Sequence, residues 1–273
     1  MSMSLEISNP EQLKIIKFNS NTLDTNLFQV EDVVNDNACF YRAFANCLNY
    51  SSPNKSLHDV KDLKHFGKYK NLEETYQHPD WGYYSEKQDK LARYLQGKSY
   101  RWIKKNYSNQ MKEYGMDMGT MILLTHEIDI DVYLDRYKYF AGDIILESYD
   151  NMEDNNVNEN KEFEMEDRWG GMPEQVALSE SYKIPIIILT SQKYDTRYKK
   201  IVNGKIRLNK PEKNVRFKVL QIYGKKYIGS RIPIFLLWKK KDRIGHYMSL
   251  YPKNENIVTK IVSNLINDCK TSD

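Results

Sequence analysis

Apolar side chains at Phe40, Ala43, Phe44, Cys47 and Leu48 recur at i, i+3, i+4, i+7 and i+8, the spacing of a helix that buries one face. A polar turn, Asp36-Asn37, precedes them and supplies an N-cap. Further on, Leu91, Tyr94 and Leu95, then Tyr100, Trp102 and Ile103, and then residues 118–124 make residues 54–140 read as mainly helical. Ile257, Val258, Ile261, Val262, Leu265 and Ile266 predict a terminal amphipathic helix. Other segments carry strand signals. Residues 184–189 form a buried apolar run, and residues 215–223 alternate until Gly224 ends them. Residues 232–238 are strongly apolar, and a charged turn at 239–243 leads into a strand that starts at Gly245. Residues 13–18 predict a short strand or helix, and residues 27–34 run toward the first turn. The acidic, Asn-rich stretch 150–160 reads as an exposed loop. No internal repeat is evident. The order predicts an α+β fold with a small central β-sheet flanked by helices.

Composition narrows the function classes. A chain of 273 residues can bury one substantial core. Lys and Arg number 41 against 37 Asp and Glu, a formal net charge of +4, which argues against obligate nucleic-acid binding. The 21 tyrosines interleave with lysines as base-stacking residues would, but half-buried helix and strand positions account for them. Three cysteines, no signal-like N-terminus and no apolar run near 18 residues predict an intracellular, cytoplasmic setting, with no membrane partner.

Candidate chemistry begins at Cys39. In the first turn of a helix, open backbone N–H groups and the positive dipole end favour the nucleophilic thiolate. Packing is the alternative, since a free cysteine commonly serves as a small buried hydrophobe. Cys47, rotated only about 80° further round the helix, falls within the apolar stripe and fits the packing role. A nucleophilic cysteine needs a base. Of five histidines, His246 has the suggestive setting, just after a turn on a core strand. His58, His65, His78 and His126 lie in Lys- and Asn-rich stretches and are expected to be solvated. There is no C-x-x-C and no His pair at i, i+4, so neither a metal nor a cofactor is expected. Gly97-Lys98-Ser99 imitates the end of a phosphate loop, but Ala92 stands where its first glycine would, and the context is helical. In Trp169-Gly170-Gly171-Met172-Pro173-Glu174, the glycines permit a tight turn, Pro173 suits the first helical position and Glu174 suits the positive helix end. Architecture explains this block; alternatively, Trp169 lines a cleft.

Asp36-Asn37-Ala38-Cys39-Phe40-Tyr41-Arg42-Ala43 resembles the D-x-x-C-F/L-F/Y-R-A signature of the ovarian-tumour (OTU) family of cysteine proteases. Gly245-His246-Tyr247 is similar to the G-H-Y of that family's histidine strand. The segment from Trp169 to Ser179 resembles its W-G-G-x-x-E-L-x-A-L-S block, and the three occur in family order.

The resemblance implies an OTU-like, papain-related fold as one domain over residues 1–273. Residues 1–28 would be an N-terminal extension, 29–252 the core, and 253–273 the terminal helix. Cys39 and His246 lie 246 − 39 = 207 positions apart, so inserted material is expected near 54–160 and 191–230. The implied activity is that of a deubiquitinase, in which a Cys-His site hydrolyses the isopeptide bond at the C-terminal glycine of ubiquitin. Partners would be ubiquitin, polyubiquitin or a ubiquitin-like modifier, in a host cytoplasm if the source is a virus or an intracellular bacterium. A catalytically weak ubiquitin-binding module is the alternative. The implied catalytic residues are Cys39, His246 and Asp36, the last holding the oxyanion loop. One position departs from the pattern. The family usually carries Asp or Asn two residues after the histidine to orient its ring, and Met248 stands there. Asp24, Asp32, Asp242 and Ser249 are candidate replacements, or a Cys-His dyad suffices.

Overall fold

A computed structural model describes residues 22–24, 27–33, 37–49, 51–52, 55–56, 76–78, 82–84, 86–137, 170–191, 199–202, 205–208, 216–241, 244–254, 256, 258 and 261. Asp36, Trp169, Asp242, His58, His65 and the predicted segments 13–18 and 150–160 lie outside the described residues. The main sheet is built from β1 (Thr22–Asp24), β2 (Phe28–Glu31), β3 (Ile186–Ser191), β4 (Arg216–Tyr223), β5 (Ile234–Lys241) and β6 (Ile244–Pro252). Its spatial order is β1-β4-β3-β5-β6-β2. Every pairing is antiparallel except β3 with β5, which is parallel. Among the described residues the helices are α1 (Cys39–Asn49), α2 (Glu86–Asn106), α3 (Met118–His126), α4 (Ile130–Tyr137) and α5 (Met172–Tyr182). The architecture is therefore α+β, with helices covering a mixed sheet.

Strand alternation divides the core into two layers. Ile186, Ile188, Ile234, Leu236, Tyr247 and Tyr251 face the helices and join Phe40, Phe44, Leu91 and Leu95 in one cluster. Ile187, Leu189, Phe235, Leu237, Met248 and Leu250 point the other way, onto Phe28, Val30 and Phe217. Cover on both faces explains why residues 184–189 read as an unbroken apolar run rather than an alternation. Val258 and Ile261, in helical conformation, close the second face, as the terminal amphipathic spacing predicts.

Several boundaries differ from expectation for local reasons. β3 and β5 begin only after Pro185 and Pro233, which have no N–H to give a ladder. The Pro185 carbonyl instead receives the Ile234 amide at 2.9 Å. β5 continues through the charged segment, pairing Lys239, Lys240 and Lys241 with His246, Gly245 and Ile244. A register shift between Val219 and Gln221 breaks the alternation of β4 and leaves Leu220 49% exposed. The 54–140 stretch holds α2, α3 and α4, but also short ribbons such as Tyr76–His78 with Gly82–Tyr84 and Gln110–Met111 with Met116–Asp117. Gly97, Lys98 and Ser99 sit inside α2. There the Ser99 hydroxyl donates to the Gln96 carbonyl at 2.7 Å, and the Lys98 ammonium lies 4.1 Å from the Tyr182 ring centroid, both structural roles. Among the described residues no helix is long and apolar enough to cross a membrane.

α1 is held from two sides. Buried Arg42 donates to Asp89 of α2 at 2.7 Å, and Asp89 also accepts from Arg93 at 2.8 Å, which keeps the Asp89 carboxyl below its ordinary pKa despite burial. On the sheet side, the Ser249 hydroxyl of β6 donates to the Ala43 carbonyl at 3.2 Å. The first half of α1 is thereby fixed against the middle of β6.

Candidate active site

The Ala38 carbonyl accepts the first helical hydrogen bond, from the Arg42 amide at 3.0 Å. The N-cap position thus falls at Ala38, later than the polar turn suggests, and Cys39 becomes the first residue of α1. Its side chain is buried, and the backbone N–H of Tyr247 donates to Cys39 Sγ at 3.5 Å. Cys47 behaves as the packing cysteine expected. Its thiol points at the Phe235 carbonyl, 3.4 Å away, and burial pushes its pKa up to about 12.

His246 is 7% exposed at the start of β6. Its Nε2 lies 2.7 Å from Asp32 Oδ1, an oxygen that also accepts the Val33 amide at 2.9 Å. Nδ1 is buried and has no partner in hydrogen-bond geometry, so it is the ring nitrogen left to serve Cys39. Burial, the strongest influence on the ring, favours its neutral form. The hydrogen bond to Asp32 and the nearness of the Cys39 sulfur outweigh it and raise the His246 pKa to about 10.

Asp32 reaches the His246 ring for a geometric reason. In the β2–β6 ladder Glu31 pairs with Ser249, so Asp32, one step on, comes opposite Met248. His246 and Met248 share a face of β6, which is the face Asp32 occupies across the strand. Of the other candidates, Asp242 lies outside the described residues, and Asp24 and Ser249 are excluded by placement. Asp24 pairs with Arg216 on β1, at the opposite edge of the sheet from β2, and the Ser249 hydroxyl is turned to α1.

The Gly170-Gly171 turn abuts the helix that carries Cys39. A Cβ on Gly170 would stand 2.1 Å from Phe40 Cδ1, so only glycine admits this approach. A Cβ on Gly171 would meet Thr125 of α3 at 2.4 Å. A Cβ on Gly245 would meet the Trp238 indole nitrogen at 2.2 Å, which explains the glycine before His246. Glu174 caps the turn, accepting the Gly171 amide at 2.8 Å, as its position at the helix start predicts.

His126 corrects the expectation of a solvated histidine. Its side chain is 7% exposed, and Nε2 lies 3.0 Å from Glu174 Oε1, which also accepts the Tyr133 hydroxyl at 2.5 Å. Its Lys- and Asn-poor tertiary surroundings, contributed by α4 and α5, are invisible in the flanking sequence. Gln175 and Tyr247 are also joined here. The Gln175 amide donates to the Tyr247 hydroxyl at 2.7 Å, a contact with no sequence signal because 72 positions separate the two residues. Among the described residues, no group of three or more His, Cys, Asp and Glu side chains could hold a metal ion. No protein-family model matches the chain, and no curated protein matches it.

Proposed function

We propose that this chain is a thiol-dependent isopeptidase of the OTU type, a deubiquitinase that cleaves at the C-terminal glycine of ubiquitin or a related modifier. The observation that carries the reading is the convergence of Cys39, His246 and Asp32 from α1, β6 and the end of β2, with Asp32 2.7 Å from one ring nitrogen and the other left for the thiol. This is the nucleophile, base and orienter relation of a cysteine hydrolase, recognised by role and geometry rather than by sequence position.

In the reacting form the Cys39 proton sits on His246 Nδ1, and the Sγ thiolate attacks the glycine carbonyl carbon. The tetrahedral oxyanion is met by N–H groups of the first turn of α1, which have no intrahelical partner. His246 then gives its proton to the leaving lysine amine as the C–N bond breaks. Water, deprotonated by the same ring, hydrolyses the thioester and restores the thiol. Asp36, on the resemblance, holds the oxyanion loop.

Incubation with a ubiquitin C-terminal electrophile tests the reading. A covalent adduct is expected with the parent and not with Cys39→Ala. Binding without an adduct would instead favour a ubiquitin-binding module. The raised pKa of His246 adds a second expectation, because the ring must carry a proton to release the amine. Activity should persist through neutral pH and decline as pH rises through about 10. A pH–rate profile whose basic limb lies near 7 would remove Asp32 and Cys39 as the groups that hold that proton.

A protein substrate also needs a docking face. Leu123 and Leu124 of α3 are 49% and 68% exposed, next to Thr125, which touches the Gly171 turn. Exposed Glu127, Asp129 and Asp131 follow them, so the face suits an apolar patch rimmed by basic side chains. Leu124→Asp is expected to raise KM for a protein substrate about five- to tenfold with kcat unchanged. An unchanged KM would move the docking face elsewhere.

A further inference from the structure

We infer that Gln175 is a positioning residue for the nucleophile, acting through Tyr247; the inference rests on the reading of Cys39 and His246 as the reacting pair. Gln175 stands where the W-G-G-x-x-E-L pattern has an apolar residue, and at 2% exposure its amide requires partners. It has two. Nε2 donates to the Tyr247 hydroxyl at 2.7 Å and to the Gly170 carbonyl at 3.3 Å. One side chain of α5 thus holds both the glycine turn and the residue after His246.

Tyr247 is clamped at three points. Its hydroxyl meets Gln175, and its ring meets Phe40 edge-on with centroids 5.5 Å apart. Its backbone N–H points at Cys39 Sγ, 3.5 Å away. That N–H is a donor to the sulfur and stabilises negative charge on it. At 3.5 Å the contact has an ordinary length for an N–H donor to sulfur, and a shift of β6 lengthens or bends it. His246 is covalently next to Tyr247, so the same anchor holds the base. The Gln175–Tyr247 bond therefore sets the position of the N–H and of the imidazole relative to Sγ.

The test separates positioning from mere stability. In Gln175→Leu with Tyr247→Phe, the shorter bonded pair is replaced by apolar groups of similar shape, which restores the stability lost by leaving either member of that pair unpartnered, and only the 3.3 Å contact to the Gly170 carbonyl goes unreplaced. The readout is the rate at which Cys39 is alkylated by iodoacetamide at neutral pH, followed by peptide mapping so that Cys47 and Cys269 do not contribute. The expected result is near-parental urea denaturation with alkylation about tenfold slower, and kcat reduced while KM holds. A double variant of parental stability that alkylates at the parental rate overturns the proposal. Should the double variant not fold, Tyr247→Phe alone, which deletes one oxygen, decides in the same way. Parental alkylation with no reaction toward the ubiquitin electrophile would refute the deubiquitinase reading and leave alkylation of the variants to judge the positioning.

Discussion

Asp32→Ala is expected to lower kcat/KM by about 10² to 10⁴, mostly in kcat, while Met248→Asp fails to raise it. The reason lies in the β2–β6 register. Asp32 Oδ1 binds His246 Nε2 at 2.7 Å and is itself steadied by the Val33 amide, so it holds the ring with Nδ1 toward Cys39. Without it the imidazole loses both its orientation and the leading influence that offsets burial to keep it protonated. A carboxylate at position 248 in the parent would come opposite Asp32 and add a like charge to an occupied place. In Asp32→Ala the same carboxylate has an empty place to fill. The double change Asp32→Ala with Met248→Asp should therefore recover part of the lost rate. Steady-state kinetics on the three variants checks this. A gain from Met248→Asp in the parent, or no loss in Asp32→Ala, would mean that Asp32 does not orient the ring.

This cross-strand exchange shows where the sequence stopped being informative. Cys39 and His246 stood out as candidates because each is marked locally, by a helix start and by a turn leading into a strand. The two apolar strands and the face of α1 were legible from their periodicity. Asp32 could be no more than one of four candidates, since what selects it is the pairing of Glu31 with Ser249 across 218 positions. His126 was misread for a related reason. Polar neighbours in sequence predicted solvent, but α4 and α5 bring Tyr133 and Glu174 to it. Gln175 carried no signal at all, because a buried amide declares itself only through its partners. Local chemistry is thus readable where a side chain answers to its own helix or turn. It fails where the partner arrives by sheet register or helix packing.

Glu174→Ala is expected to be the most damaging change to stability, costing about 3–5 kcal/mol. Glu174 is fully buried and is bonded to the Gly171 amide, the Tyr133 hydroxyl and His126 Nε2, so its removal leaves one buried and two part-buried groups without their partner. The sign of its pH dependence follows from two opposite shifts. Burial works against the charged Glu174, but His126, Tyr133 and backbone N–H groups outweigh it and hold its pKa below 4.5. Its contribution is present above 4.5 and is lost as pH falls through the lowered value. Burial likewise opposes the His126 charge, but Glu174 outweighs it and raises the pKa above 6.5, against a small opposing effect from Arg136. That contribution is complete below 6.5 and is lost as pH rises through the raised value. The stability difference between parent and Glu174→Ala should therefore be greatest between about 4.5 and 6.5 and should shrink on both sides. Urea denaturation of the two proteins across pH measures it, and a flat difference would show that the pair is not ionised in the fold. The consequence reaches the site, because the Glu174-capped turn carries Gly170, which lies directly on Phe40 beside Cys39. On the proposed reading, residual folded Glu174→Ala should accordingly lose activity as well as stability, since the turn that seats α1 has lost its cap.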